Sequence, residues 1–204
     1  MILLERICQS IAKSVWSTVS ASFPMACFVM AVAFLTYVVI GAICKIYRGH
    51  HRRAIEFSHL FRQGIWFGFL AFYTYMVLFR TWIGRPRWEE PLGKIFEGWG
   101  LYTKRGIFTT EAIENGMLLL PFTWLLGMLL QERWRKRPAV FVMGRITFCG
   151  FLMSLTIETV QVLWNRGTFQ FSDLFYNTLG GLLGGLLFVT LHRIGQRRKR
   201  EEQL

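Results

Sequence analysis

Charge is scarce in this chain, and acidic charge is scarcer still. Asp and Glu number 12 among 204 residues, and all charged residues together make up 18%. A water-soluble domain of this length needs a more polar exterior than that. Cysteine is sparse too: Cys8, Cys27, Cys44 and Cys149 form no CxxC pair and lie in or beside apolar segments. That leaves a disulfide framework without support, and the thiols read as small buried hydrophobes. Of the four histidines, His50, His51 and His59 share one loop and His192 stands alone. No Cys or carboxylate recurs beside them at ligand spacing, so the sequence calls for no metal and no other cofactor. The first 20 residues carry Glu5, Arg6 and Lys13 without an uninterrupted apolar core, which is not the form of a secretory signal peptide. No Ser–His–Asp, Cys–His or phosphate-loop arrangement appears, and the residues assign no enzyme class.

What is present is apolar residue, 53% of the chain, and it comes in blocks. About 20 consecutive apolar residues cross a bilayer core of roughly 30 Å. The blocks predict an all-α membrane protein with about five transmembrane helices, preceded by an amphipathic N-terminal helix. The spans run from about Phe23 to Cys44, Ile65 to Ile83, Asn115 to Leu130, Val140 to Val162 and Leu174 to Leu191. Three regions follow: an interfacial helix over 1–20, a polytopic domain over 21–192 and a basic tail over 193–204. In the first region Ile2, Leu4, Ile7, Ile11, Val15 and Val19 recur at helical spacing. Such a helix lies in the headgroup zone or packs on its own protein. The third span is short and contains Pro121, so its length also permits a re-entrant segment.

The net charge of +12 would point a soluble protein toward nucleic acid. Here the basic residues sit in short loops and a tail between apolar blocks, the pattern of topology signals and contacts to anionic lipid headgroups. No basic and aromatic interleaving on a soluble module is present, so nucleic acid is not an expected partner. With five spans, one side holds Lys45, Arg48, Arg52, Arg53 and Arg62, then Arg133, Arg135, Lys136 and Arg137, then Arg193, Arg197, Arg198, Lys199 and Arg200. The other side holds Arg6, Lys13, Arg85, Arg87, Lys94, Lys104, Arg105 and Arg166. Fourteen against eight predicts a cytoplasmic carboxyl tail and an outside amino terminus.

That topology gathers the polar residues of the spans at the outer face. Arg80 ends the second span. Glu111, Glu114 and Asn115 lead into the third, Glu158 and Gln161 close the fourth, Arg166 lies in the outer turn, and Asp173 and Asn177 open the fifth. Ser154, Glu158 and Gln161 share one helix face by their spacing, and Asp173 and Asn177 share another. Ionisable groups in a bilayer face a bundle interior and find partners there. For Glu158 and Asp173 the expected partners are Arg166 and Arg80. Arg145, near the cytoplasmic end of the fourth span, can snorkel. Gly180, Gly181, Gly184 and Gly185 form two adjacent GxxxG registers, a packing face that would bring Asn177 toward Glu158.

These residues resemble the VanZ-like family of bacterial membrane proteins. The likeness is carried by Asn115, Leu120-Pro121-Phe122 and Gly127, by Ser154, Glu158 and Gln161 in SLTIETVQ, by Arg166, and by Asp173, Asn177 and Gly180 in SDLFYNTLGGLLGG. It covers about 115–188 well and the first two spans by general character. The loop from Gly84 to Glu114 is longer and more charged than the family pattern, and the first 20 residues stand as an addition. The resemblance implies a multi-pass protein of the bacterial cell membrane linked to teicoplanin resistance and the cell envelope, and it supplies no biochemical mechanism.

Three function classes remain open. The first binds or modifies a lipid-linked, cell-wall-related ligand at the outer leaflet through Arg80, Asn115, Glu158, Gln161, Arg166, Asp173 and Asn177. In such a site arginine suits phosphate or carboxylate groups, and a carboxylate can act as a general base. The second is a small transporter or proton-coupled pathway, which needs polar groups at mid-membrane depth. The third is a non-catalytic assembly factor that holds a partner by its glycine-rich helix. A purely architectural role for the polar cluster competes with all three. Oligomeric state is not legible.

Overall fold

In the computed structural model the described residues are 2–47, 57–83, 85 and 87–201. His50, His51, Arg48, Arg52 and Arg53 lie outside them, as do Gly84 and Pro86. The chain is an all-α membrane protein. Helix α1 runs Ile2–Tyr47, α2 Phe57–Leu78 with a π-helical turn over Phe79–Ile83, α3 Glu111–Leu118, α4 Leu120–Trp134, α5 Ala139–Leu163 and α6 Phe171–Glu201.

Two boundaries differ from the sequence reading. The amphipathic segment and the first span are one continuous helix with Pro24 inside it. No glycine or turn signal separates them, and Ser22 Oγ donates to Thr18 O (2.7 Å) in the turn before the proline. The carboxyl tail likewise continues α6 as far as Glu201. By length and composition, α1, the α3–α4 pair (Glu111–Trp134), α5 and α6 are each able to cross a membrane. The short third span thus gains its length from α3. Leu119 interrupts it because Pro121 has no N–H to give the Met117 carbonyl, and the Tyr73 hydroxyl donates to the Leu118 carbonyl beside the break (2.9 Å). Helix α2, 22 residues long, is not among these four; Arg62 and Gln63 stand among its aromatics.

α1 and α2 form an antiparallel hairpin. Phe23 meets Phe72 at one level, Tyr37 meets Phe67 at another, and Phe34 packs edge-on against Phe61 (5.2 Å). α6 is the axle of the remaining bundle. Gly181 lies against Gly150 of α5, and Gly185 against Ile146. Gly180 and Gly184 face the other way, onto the Gly116 and Leu120 carbonyls of α3 and α4. The two glycine registers therefore serve two different neighbours. Removing Cβ lets the backbones close, which is how helices associate where lipid offers no hydrophobic drive. Of the cysteines, Cys8 and Cys44 are exposed and Cys27 and Cys149 half-buried, so none is the fully buried hydrophobe expected.

Candidate functional site

The contacts bring one end of every long helix together. Ser10 and Ser14 of α1, the π-turn after α2, the start of α3, the end of α5 and the start of α6 all meet there. The segment 87–110 covers this end. It is tied to the α5–α6 turn through Trp88 N–H to Asn165 O (2.8 Å), Phe169 N–H to Pro91 O (2.9 Å) and Phe171 N–H to Ile95 O (3.0 Å). Gly98 sits at φ 85° against Gln170 and Ser172, where a side chain would be strained and would overlap both.

Beneath this cover is a cluster of buried polar side chains, hereafter the chamber. Glu158 is 1% exposed, and its Oε2 accepts the backbone N–H of Gln170 (3.0 Å). One turn earlier on α5, Ser154 Oγ accepts from Asn177 Nδ2 (3.1 Å). One turn later, Gln161 Nε2 donates to the Thr81 carbonyl (3.2 Å), which the π-turn presents. Such turns are local irregularities frequently found at functional sites. Asp173 stands close to Asn115 and Ser172, and Arg85 lies within electrostatic reach of both Asp173 and Glu158. Gln170 Nε2 donates to Thr168 Oγ1 (3.0 Å), and Ser172 Oγ donates to the Glu97 carbonyl (2.6 Å). Two buried amide oxygens, Gln161 Oε1 and Asn177 Oδ1, have no partner among the described residues.

Of the residues singled out by sequence, Asn115, Glu158, Gln161, Asp173 and Asn177 meet in this chamber. The two arginines do not play the parts expected. Arg80 is ion-paired to Glu114 and donates to Ser14 Oγ (2.8 Å), on the side facing α1. Arg166 Nη1 donates to the backbone carbonyl of Arg85 (2.8 Å), so it holds the chain that carries the chamber's arginine. The reason is geometric. Arg80 and Thr81 are adjacent in the π-turn and point to different sides, and only Thr81 faces α5. Arg85 had counted as a loop charge, because nothing local in the sequence shows where the loop folds back. Gln170 and Ser172 were missed too, although their place directly before Asp173 was a signal.

Among the described residues no group of three or more His, Cys, Asp or Glu is placed to hold a metal ion. The donor set is instead carboxylate, amide and hydroxyl with one guanidinium. It can accept hydrogen bonds from hydroxyl or amide groups and can hold an anion at Arg85.

The VanZ/LLP1 family model matches residues 25–192. The match takes in the latter half of α1, the helices α2 to α5, most of α6 and the covering segment, and leaves residues 1–24 and 193–204 outside. No curated protein and no solved structure matches the chain.

Proposed function

The chain belongs to the VanZ/LLP1 family, and from that premise we propose that it is a cell-envelope protein whose chamber takes the polar head of a lipid-linked, cell-wall-related ligand at the outer leaflet, lowering susceptibility to teicoplanin-type antibiotics. One observation carries the reading. A buried carboxylate, Glu158, stands among two buried amide oxygens that lack donors, Gln161 Oε1 and Asn177 Oδ1. An unpaired buried acceptor costs about 1–3 kcal/mol. A ligand rich in hydroxyl and amide N–H groups supplies the missing donors, and Arg85 suits a phosphate or carboxylate on the same head. The amino terminus is outside and the tail cytoplasmic in this proposal, with the basic loops near Arg62 and Arg133–Arg137 at the inner face against anionic headgroups.

The test is a pair of substitutions followed in cells by teicoplanin susceptibility and expression level. Glu158→Gln keeps an acceptor for the Gln170 N–H, so the protein should be made at near-normal level and fail to lower susceptibility. If the chamber is only architecture, removing Glu158 and Arg85 charges together should leave function intact. A folded, active Glu158→Gln, Arg85→Gln protein would end the functional reading. A folded, inactive one supports it.

A further inference from the structure

A second site lies on the opposite side of the polar end. α1 packs along α2 and reaches α3 chiefly through hydrogen bonds near its first turns: Ser10 with Thr110 (3.0 Å) and Ser14 to Glu114 (3.0 Å). Below those bonds the helices stand apart around a cleft of about 380 Å³. Small-ligand pockets run from about 300 to 1,000 Å³. Its walls are apolar, with Ile11, Val15 and Val19 on one side and Phe72, Met117 and Pro121 on the other. Val15 and Met117 are 49% and 52% exposed, so the cleft opens sideways, toward lipid. At its polar end stand Arg80 and Glu114.

The hydrogen-bond accounting at that end is lopsided. Glu114 is nearly saturated, accepting from Thr110 (2.5 Å), Ser14 and Arg80. A guanidinium carries five N–H donors. Among the described residues Arg80 spends one on Ser14 and one on Glu114. Three donors thus remain at the mouth of an apolar cleft, at the level where the spans end. Phosphate oxygens match that fork. A hydrocarbon chain matches the walls below it, and each buried methylene contributes about 0.8 kcal/mol. Val77 and Leu118, which line the cleft, pack in one core with Leu119 and with Ile157, the residue before Glu158, and so form a wall between the cleft and the chamber.

We propose that this cleft is a phospholipid site, with one acyl chain between α1 and α3–α4 and the phosphate on the free N–H groups of Arg80. The site does not depend on what the Glu158 chamber binds. It would add to the Ser10 and Ser14 hydrogen bonds a second tie between α1 and the rest of the bundle.

Native mass spectrometry of the purified full chain in detergent tests it, with phosphatidylglycerol as probe and diacylglycerol of the same chains as the phosphate-free control. One phosphatidylglycerol should be retained per protein, and diacylglycerol should bind at least about tenfold more weakly. Val15→Trp fills the cleft from an exposed helix position and should lower phosphatidylglycerol retention about tenfold; Val19→Phe gives a second filling variant should the first not fold. Arg80→Gln with Glu114→Gln removes the pair together and should bring phosphatidylglycerol down to the diacylglycerol level. Equal retention of the two lipids, or unchanged retention in the folded filling variants, would overturn the proposal. So would phosphatidylglycerol binding that survives loss of the Arg80–Glu114 pair.

Discussion

In the α1–α2 hairpin, glycine meets mostly side chain: Gly41 faces the tip of Leu60, a Cβ on Gly64 would lie 3.0 Å from the Phe34 ring, and only Gly68 also faces backbone, the Met30 carbonyl. Around α6, three of the four paired glycines meet backbone: Gly180 and Gly184 face the Gly116 and Leu120 carbonyls and Gly181 faces the Gly150 Cα, while Gly185 meets the Ile146 side chain. A side-chain tip can rotate away from an added methyl group, whereas a helix backbone can yield only by moving the helix. The α3–α6 bundle is therefore the less forgiving half. It also carries the chamber, whose hydrogen bonds need side chains from α5 and α6 at fixed separation. The hairpin is the adaptable half and bounds the cleft.

The largest effect should come from Gly184→Leu. A side chain there collides with the Leu120 carbonyl and Thr123 Oγ1, and the cost should exceed the usual 1–3 kcal/mol or so of overpacking. Loss of monodisperse protein after detergent extraction would show it, with Gly181→Leu next in severity. Normal thermal stability for both would remove the contrast between the halves. Arg80→Gln should rank third, because it strands the half-buried Glu114 carboxylate, at a cost approaching about 3–5 kcal/mol. Adding Glu114→Gln should recover most of the melting temperature, and failure to do so would mean that the pair holds α1 in place by more than charge compensation. Gly64→Ala in the hairpin should change stability by no more than about 1 kcal/mol, since ring movement offsets the better helix propensity of alanine. Smallest of all is Gly144→Ala. A Cβ there meets nothing within 4 Å, so a slight gain in melting temperature of the extracted protein is expected. A loss at Gly144 matching that at Gly184 would show that neighbours are not what sets these costs.

Much of this arrangement is visible in the amino-acid order. Apolar block length announces the helices, and Pro121 marks the interruption at Leu119. The spacing of Ser154, Glu158 and Gln161 places them on one face, since that depends only on the helical repeat. The paired glycine registers announce close packing, though not that α6 has a separate neighbour for each. The covering role of the 87–110 segment was not visible, because its ties to Asn165, Phe169 and Phe171 are backbone bonds that any sequence could make.

Composition and local periodicity thus determined that the chain is a helical membrane protein, which helix faces are polar, and which are bare of side chains. Those properties follow from hydration and from the three-to-four-residue repeat, both fixed within a few positions of chain. Tertiary structure alone decided which arginine meets which acid. Arg80 went to Glu114 and Ser14, Arg85 came within electrostatic reach of Glu158 and Asp173 without an ion pair among the described residues, and Arg166 went to a backbone carbonyl. Partner choice depends on the π-turn after α2, the return of the covering segment and the crossing of α5 on α6. Each is set by packing between residues far apart in the chain, and a buried charge takes the counter-charge that packing brings within reach.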